Sequence, residues 1–436
     1  MQVFNFIRIK ALREWYAKKN LKMGILSAYA TTFLEIISPV ILIPLIIVQL
    51  SAIQISFWYT ASATIIIIRS LDTPLRNAII LFVSKIKCGD TVQAVVRQTL
   101  IIYAGFILIG MTLSYQLYFQ KLYIQTEFFI CWVLLCIASF VNLISLKHTL
   151  LLISNNLIEK TYFPEAISKI FFTLSGSFAL VYYSSIQGLF ISLCISSFIL
   201  LFLIIRASKR YLSFTNSFMG IQYLSIKGIY KIILRVAPHT IASNVVARAP
   251  LLLLAGYVNH SFVSQWGLTQ NLFNLTHRFS LLPVNHNVKK IYDIYNQNVI
   301  MKPDMKFIFF LISVILLLAF MGSIFIIYLI PNLLLLVEAN TMLLDRQFLL
   351  VFSISLMFAV LHDFSTHILF SKADTSYVFS NVIAGFLVIG LQYYFIINTM
   401  FFMVAAVHLM INIMYNYWKW PLKAYYVTVY SGNANV

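Results

Sequence analysis

Residues 188–205 read GLFISLCISSFILLFLII, eighteen consecutive residues without a charge. About 20 apolar residues are enough for an α-helix to cross the hydrocarbon core of a bilayer. Stretches of this kind recur along the chain, separated by short polar breaks. They predict twelve membrane spans, at about 23–48, 52–82, 95–118, 127–150, 167–184, 188–205, 236–258, 262–284, 307–330, 346–370, 376–397 and 399–418.

The overall composition is that of a membrane protein. Of the 436 residues, 61% are hydrophobic and 10% are charged, whereas soluble domains carry about 25% charged residues. These proportions exclude both a water-soluble fold and a disordered chain. The four cysteines show no metal-ligand spacing, so we expect neither a disulfide framework nor a zinc site.

The distribution of Lys and Arg predicts the orientation. With the N-terminus in the cytoplasm, 25 of the 31 basic residues fall on inner segments, and only Lys121 and Arg346 fall on outer loops. Because positive residues concentrate on the cytoplasmic side of membrane proteins, we expect an even number of spans with both termini inside. The net charge of +18 is therefore an orientation signal and no indication of nucleic-acid binding.

The predicted spans divide the chain into five regions. Residues 1–22 mix basic and apolar side chains and are expected to form an amphipathic helix on the cytoplasmic surface rather than a cleaved signal peptide. A six-helix bundle is expected over 23–205 and a second one over 236–418. A basic cytoplasmic linker over 206–235 joins the two bundles, and residues 419–436 form a cytoplasmic tail.

An internal repeat relates the two halves. In each half a tryptophan opens a span and is followed by an arginine and then a proline: Trp58, Arg69 and Pro74, then Trp266, Arg278 and Pro283. The two tryptophans are 208 residues apart. Chance is the alternative explanation, since apolar helices are built from only a few types of residue. The repeat predicts an all-α membrane protein of twelve transmembrane helices in two six-helix bundles, related by a pseudo-two-fold axis along the membrane normal.

Span 8 is the most polar of the predicted spans. Gln270, Asn274 and Arg278 recur at every fourth position and therefore lie on one helix face. Asn244 and Arg248 have the same spacing in span 7. Such faces avoid lipid, so these side chains line a cavity or, alternatively, hydrogen-bond to neighbouring helices.

Three carboxylates also lie inside predicted spans, at Glu35, Asp72 and Asp363. A carboxyl group in a low dielectric can exchange a proton, so each is a candidate for ion coupling. Pairing with an arginine is the alternative for Glu35. Asp72 lies between Arg69 and Arg76, at i, i+3 and i+7, and its alternative role is to neutralise these two charges locally.

The motifs of common pumps and membrane enzymes are missing. The chain has no glycine-rich phosphate loop followed by Lys and Ser/Thr, so nothing indicates ATP-driven transport. G-x-S-x-G and H-E-x-x-H are missing too. His362 and His367 are five residues apart, off the face that two helical metal ligands share. We therefore expect no enzymatic activity, no cofactor and no metal site.

Several short segments carry a family resemblance. They are Leu71-Asp72 after the aromatic Trp58, Val83-Ser84-Lys85, Gly89-Asp90, Arg235-Val236-Ala237-Pro238 and Trp266-Gly267-Leu268-Thr269-Gln270. With the twelve spans and short outer loops, they resemble the polysaccharide-transporter branch of the multidrug/oligosaccharidyl-lipid/polysaccharide exporter superfamily, and within it the O-antigen flippases. Asp72-Thr73-Pro74 departs from the glycines that often follow this Asp in the family.

This resemblance implies a flippase that moves undecaprenyl-diphosphate-linked oligosaccharide from the inner to the outer leaflet of the bacterial inner membrane by alternating access. The implied partners are this substrate, membrane lipid, a polysaccharide polymerase and a chain-length regulator. Arginine donates bidentate hydrogen bonds to phosphate, which would suit a diphosphate. The cavity residues expected to meet the substrate are Arg69, Arg248, Arg278, Asn244, Gln270, Asn271, Asn274 and Asn412.

The sequence leaves two other functions open. A cation-coupled multidrug exporter of the same fold favours acidic cavities, whereas the predicted spans carry four cations against three anions. A membrane glycan polymerase or ligase needs a sizeable outer loop with catalytic Arg or His. The longest predicted outer loop, 331–345, is short and contains no His.

Overall fold

The computed structural model describes residues 31, 33–34, 37–72, 74–75, 89–154, 157, 159–212, 223–296, 302–371 and 376–430. The predicted amphipathic segment 1–22, Glu35, Arg76 and Val83-Ser84-Lys85 lie outside these residues. The secondary structure within them is helical, without a strand. The predicted all-α class is confirmed for this part of the chain.

The described helices follow one another with short connections. In chain order they are α1 (Ile37–Gln49), α2 (Ala52–Ile68), α3 (Gly89–Ser114), α4 (Thr126–Ser154), α5 (Glu159–Tyr183), α6 (Ile186–Leu212), α7 (Tyr223–Ala255), α8 (His260–Ser280), α9 (Leu282–Asn296), α10 (Lys302–Ile324), α11 (Ile330–Leu336), α12 (Arg346–Ser371), α13 (Ser376–Ile397), α14 (Phe401–Met414) and α15 (Asn416–Tyr430).

Seven helical segments in the described residues are long and apolar enough to cross a membrane. They are Thr126–Leu152, Lys160–Tyr183, Ile186–Lys209, Pro303–Leu336, Arg346–Leu369, Ser376–Ile397 and Phe401–Val427. Four shorter apolar helices accompany them, whereas α8 belongs to neither group because its polar residues lower its mean hydropathy. The chain is thus a multi-pass membrane protein, and the count of twelve spans stays a prediction.

Several helices extend beyond the predicted span boundaries. Helix α6 continues to Leu212 and α7 begins at Tyr223, so most of the expected linker 206–235 is helical. The expected tail is helical up to Tyr430, because α15 follows α14 after a break at Tyr415 (φ −145°, ψ −57°). Charged residues end an apolar run, but Lys and Arg are good helix formers and so do not end the helix.

The chain forms two compact units. Unit 1 comprises Met1–Leu50 and Leu75–Ile232, and unit 2 comprises Ser51–Pro74 and Ile233–Val436. The sequence boundaries place Ser51–Pro74 in the first bundle, whereas the structure groups this segment, with α2, in unit 2. The reason is that α2 packs on α8. The symmetry of two six-helix bundles stays a prediction.

Unit 1 is built around α4, α5 and α6. Gly188 of α6 lies against Ala179 of α5 so closely that a Cβ at Gly188 would be 2.8 Å from the Ala179 Cβ. The Ser168 hydroxyl donates to the Ser196 carbonyl across the same pair (2.8 Å). Small residues and hydroxyl bonds of this kind hold helices together in lipid, where apolar tails remove the hydrophobic driving force between helices.

Unit 2 has a large apolar core between α8, α9, α10 and α12, with Val284, Ile315, Val360 and Phe364 at most 1% exposed. Helix α2 packs against α8 at the edge of this core. The contact is close, because a Cβ at Gly267 of α8 would lie 2.5 Å from the ring of Tyr59 of α2. The Ser56 hydroxyl and His260 Nδ1, 3.3 Å apart, add a polar contact.

Two π-helical turns occupy matching places in the chain. Tyr115–Phe119 follows α3 and Phe325–Leu329 follows α10. Their first residues are 210 apart, close to the 208-residue offset of the two tryptophans. π-helical turns are rare, and these two recur near the offset of the proposed repeat, which stays a prediction.

Candidate functional site

A cavity of about 260 Å³ lies inside unit 2. Helices α7, α8, α12, α13 and α14 line it, together with Tyr417 of α15. Its walls combine aromatic rings with amides and imidazoles. Among the described residues that line it, Asp363 is the one carboxylate, and there is no Lys or Arg.

Helix α8 brings a polar face to the cavity. The helix begins after Asn259, whose side chain accepts a hydrogen bond from the Phe262 backbone N–H (2.8 Å) and so caps the first turn. Side chains spaced by three or four residues then point the same way. Those that line the cavity are Trp266, Gln270, Asn274 and His277.

Asp363 lies between two imidazoles. Its Oδ2 is 3.1 Å from His277 Nε2 of α8, and its Oδ1 is 3.3 Å from His362 Nδ1. The carboxylate is 41% exposed because it faces the cavity. An ionised carboxylate inside a membrane protein needs hydrogen-bond donors, and the two imidazoles provide them. In the described part of the chain, no group of three His, Cys, Asp or Glu is arranged to hold a metal ion.

Two glutamines use their amide nitrogens to bind backbone. Gln270 donates to the Ala247 carbonyl of α7, and Gln392 donates to the Val404 carbonyl of α14 (3.3 Å). Each donation fixes the rotation of the amide group. The two amide oxygens are buried and have no hydrogen-bond partner among the described residues.

Unpartnered polar atoms concentrate at this cavity. Six of the nine buried side-chain nitrogen or oxygen atoms that lack a partner among the described residues belong to cavity-lining side chains: Trp266, Gln270, Asn274, His362, Gln392 and Tyr417. Buried polar groups in folded proteins are nearly always satisfied by protein, water or ligand. These six atoms are enclosed by protein, whereas the carboxylate of Asp363 is exposed to the cavity.

Arg248 and Arg278 form a second feature of unit 2. Arg248 is half-buried in α7, Arg278 is exposed near the end of α8, and their charges are within Coulombic range of each other. Neither arginine has an ion pair with a carboxylate in the described residues. Arg248 and Arg278 are called the cationic pair below.

The remaining predicted site residues take different places. Asn412 lines the cavity and donates to the His408 carbonyl (2.8 Å). Arg69 forms an ion pair with Asp72 in unit 2, the local neutralisation that the sequence left open. Half-buried Asn244 of α7 and Asn271 of α8 do not line the cavity.

The structure thus brings Gln270, Asn274, Asn412 and Asp363 around one cavity, whereas Arg69, Arg248 and Arg278 lie off it. Several cavity residues were not selected from the sequence, namely Trp266, His277, His362, Gln392, His408 and Tyr417. Gln392 could have been noticed in the sequence, because it is the one amide in the apolar stretch 382–397. The pairing of His277 with Asp363 joins residues on different helices, and no spacing rule reveals it.

Comparisons with known proteins identify the fold in which this cavity occurs. No protein-family model and no curated protein matches the chain. Among solved structures, an inward-facing multidrug resistance MATE family transporter of the MOP superfamily aligns with a TM-score of 0.65 at 8% identity, covering 90% of this chain and 95% of that one. An outward-facing multidrug resistance MATE family transporter reaches 0.50 at 8% identity over 94% and 93%.

A second kind of transporter shares the fold. The lipid II flippase MurJ, in an inward closed conformation, aligns with a TM-score of 0.62 at 15% identity, covering 93% of this chain and 90% of that one. At these identities the likeness shows the fold alone. The chain has the fold of MOP-superfamily transporters, and this fold serves both a drug exporter and a lipid flippase.

Proposed function

We propose that this chain is a flippase for an undecaprenyl-diphosphate-linked oligosaccharide, of the O-antigen or a similar surface polysaccharide. It moves this lipid from the cytoplasmic to the periplasmic leaflet of the bacterial inner membrane by alternating access, with both of its termini in the cytoplasm. The observation that carries the proposal is the cationic pair of Arg248 and Arg278, which lacks a carboxylate partner among the described residues.

A diphosphate fits this pair for electrostatic reasons. Two like charges within Coulombic range repel each other, and the repulsion grows as the dielectric constant falls. An anion that contacts both removes the repulsion and gains charge-assisted hydrogen bonds. The guanidinium fork matches phosphate oxygens in a bidentate geometry. Arg69, whose charge is already paired with Asp72, is the weaker candidate for the same role.

The sugars of the substrate need neutral hydrogen-bonding groups. The amides Gln270, Asn274 and Asn412 at the cavity provide them, and Asn244 and Asn271 lie on the same helices as the two arginines. The flipped lipid would pass to a polysaccharide polymerase and a chain-length regulator, which we infer as partners.

The direct test is a deletion strain. We expect cells that lack the protein to accumulate lipid-linked oligosaccharide in the cytoplasmic leaflet, measured by protection of the sugars from a periplasmic glycosidase. A plasmid copy of the wild-type gene should restore exposure. Normal arrival of these sugars in the outer leaflet without the protein would contradict the proposal.

A cation-coupled multidrug exporter is the second candidate. The observation in its favour is the cavity itself, since Asp363 is the one carboxylate in its described lining and aromatic rings surround it. The two functions differ in cargo. Efflux of ethidium or tetraphenylphosphonium from everted vesicles, lost in the Asp363→Asn variant, would favour the exporter over the flippase.

Asp363 is also the proposed coupling residue of the flippase. We expect Asp363→Asn to lower transport about ten-fold or more at unchanged protein level, because His277 and His362 lose their anionic partner. Losing one charge-assisted hydrogen bond changes an equilibrium by about 1.5–3 kcal/mol, or ten- to a hundred-fold. The measurement is the initial flipping rate in proteoliposomes with and without an ion gradient.

Asp304→Asn is the matched control for this change. Asp304 lies in the first turn of α10, also in unit 2, and does not line the cavity. It should keep most of the rate. A gradient response in Asp363→Asn equal to that of the wild-type protein would remove Asp363 from the coupling role.

A further inference from the structure

Two lysines lie about one turn apart on α15. Lys419 and Lys423 are at i and i+4, so their side chains share one face of the helix. The Lys423 ammonium donates a hydrogen bond to the Ser376 hydroxyl at the start of α13 (2.9 Å). The Lys419 ammonium has no ion pair with a carboxylate among the described residues. Lys419 and Lys423 are called the lysine pair below.

Aromatic rings hold the lysine pair in place. Lys419 Nζ is 4.2 Å from the centre of the Tyr415 ring and 5.2 Å from the centre of the Trp420 ring. Lys423 Nζ is 5.6 Å from the centre of the Trp420 ring. Cation–π attraction acts within about 6 Å of a ring centre. Because a ring carries no net charge, it positions a lysine without neutralising it, and the charge of Lys419 stays available to an anion.

Helix α15 turns aromatic side chains outward beside the lysine pair. Trp418, Tyr425 and Tyr426 are about half exposed, and Leu422 between them is exposed as well. On the opposite face Trp420 is buried in unit 2. Exposed Trp and Tyr next to Lys are typical of the boundary between the hydrocarbon core and the lipid headgroups. This face therefore suits a position at the depth of the lipid phosphates.

The length of α10 supports a membrane boundary at the same end of unit 2. The Tyr328 hydroxyl accepts a hydrogen bond from the Arg346 guanidinium (2.8 Å), and Tyr is enriched at membrane interfaces. Phe307, whose ring centre is 3.6 Å from Lys290 Nζ, precedes Tyr328 by 21 residues. This separation is about 30 Å along a helix, the thickness of a hydrocarbon core. Since successive spans alternate in direction, the start of α10 and the end of α14, which α15 follows, lie at the same end of the unit.

This end of unit 2 has an excess of positive charge. Together α9, residues 302–306 and α15 contain six lysines and two aspartates, a net charge of +4. Helices α9 and α15 both pack on α12. Anionic lipid headgroups attract basic residues at the membrane surface, so the charge of this end complements an anionic leaflet.

An anionic phospholipid matches the charge, the depth and the exposed rings together. Its phosphate meets the lysine pair, and its acyl chains cover the exposed aromatic face of α15. A soluble phosphate would leave these rings without an apolar partner. A zwitterionic lipid gains less from the lysines, because the ammonium group in its own headgroup offsets the charge of its phosphate.

We propose that the lysine pair of α15 is a binding site for the headgroup of an anionic phospholipid. The site is separate from the cavity, because neither lysine lines it. Tyr417 of the same helix does line the cavity, so the lipid holds a helix that forms part of the cavity wall. The proposal does not rest on the flippase function and holds equally for an exporter.

Native mass spectrometry of the purified full chain in detergent, titrated with phosphatidylglycerol or phosphatidylcholine, tests this proposal. A basic residue near an anionic headgroup adds about five-fold to the affinity. We therefore expect phosphatidylglycerol to bind about 25-fold more tightly than phosphatidylcholine, and the variant Lys419→Gln/Lys423→Gln to lose this preference. Lys419→Gln alone keeps the hydrogen bond of Lys423 to Ser376 and should raise the Kd about five-fold.

Two further double variants are the controls. Lys419→Arg/Lys423→Arg keeps both charges and should keep most of the affinity. Lys147→Gln/Lys209→Gln removes two exposed lysines from α4 and α6 of unit 1 and should leave the Kd unchanged. An equal loss in this second control would show general attraction to a basic protein and overturn the site. So would equal binding of the two lipids, or wild-type affinity in Lys419→Gln/Lys423→Gln.

Competition distinguishes the sources of a bound phosphate. Inorganic phosphate and diphosphate at millimolar concentration should leave phosphatidylglycerol bound, because they cannot cover the exposed rings. Displacement by either would make this a site for soluble anions and overturn the lipid assignment. Undecaprenyl diphosphate that binds the lysine pair more tightly than phosphatidylglycerol would also overturn it, since the pair would then be a contact for the flippase substrate. The deletion strain tests flipping separately, and normal flipping there would leave the phospholipid site standing.

Discussion

Replacing both Arg248 and Arg278 by Ala should reduce flipping of the lipid-linked substrate at least a hundred-fold, the largest functional loss that we expect. Each guanidinium group contributes hydrogen bonds to a charged partner, which are worth about 1.5–3 kcal/mol each, or ten- to a hundred-fold. Each single variant should lose about ten-fold. The measurement is the initial flipping rate of purified substrate in proteoliposomes, at equal amounts of folded protein.

Lysine variants separate the charge from the geometry. Arg248→Lys and Arg278→Lys keep the positive charge but lose the bidentate fork, so they should recover only part of the rate. Arg346→Ala is the control, because Arg346 begins α12 and donates to the Tyr328 hydroxyl (2.8 Å), away from the cationic pair in the sequence. Wild-type flipping in the double Ala variant would remove the diphosphate contact from this pair.

Gly267→Ala should cause the largest loss of stability. The new Cβ would lie 2.5–2.7 Å from three side-chain atoms of Tyr59, closer than carbon atoms approach without a shift of the helices. Overpacking of this kind costs about 1–3 kcal/mol, occasionally more. We expect a lower apparent Tm and a smaller yield of folded protein, measured by thermal denaturation in detergent and by size-exclusion chromatography.

Gly390→Ala is the matched control for this substitution. Gly390 lies in α13, and a Cβ there would meet nothing within 4 Å, so this change should be neutral or slightly stabilising, as Ala is the better helix former. Tyr59→Ala should reduce the cost of Gly267→Ala, since the two residues are in contact and their effects are not additive. Full additivity would contradict the packing of α2 on α8.

The sequence was most informative about the membrane. Apolar runs such as 188–205 predicted helices that the structure contains, because a chain in lipid must satisfy its backbone hydrogen bonds within each segment. It was less informative about helix ends, since α6 and α15 continue through the basic residues that end the apolar runs. Chain order gives no information about packing partners, and the structure groups Ser51–Pro74 with unit 2.

The candidate site was predicted in part. The four-residue spacing of Gln270 and Asn274 placed them on one face of α8, and the structure shows that this face lines the cavity. Asp363 was selected as a lone carboxylate in a span. Its partner His277 and the distant Gln392 were not, because a contact between helices depends on how the helices are packed.

Sequence alone determined what kind of molecule this is. The features that it used are local or periodic, namely the apolar runs, the basic residues and the repeated Trp-Arg-Pro pattern. Such features can be recognised directly from the order of the residues. The tertiary structure decided which polar groups meet. It paired Asp363 with His277, left Arg248 and Arg278 without a carboxylate partner among the described residues, and brought side chains from five helices and Tyr417 together around one cavity. Such juxtapositions depend on helix packing in three dimensions, which the spacing of residues does not encode.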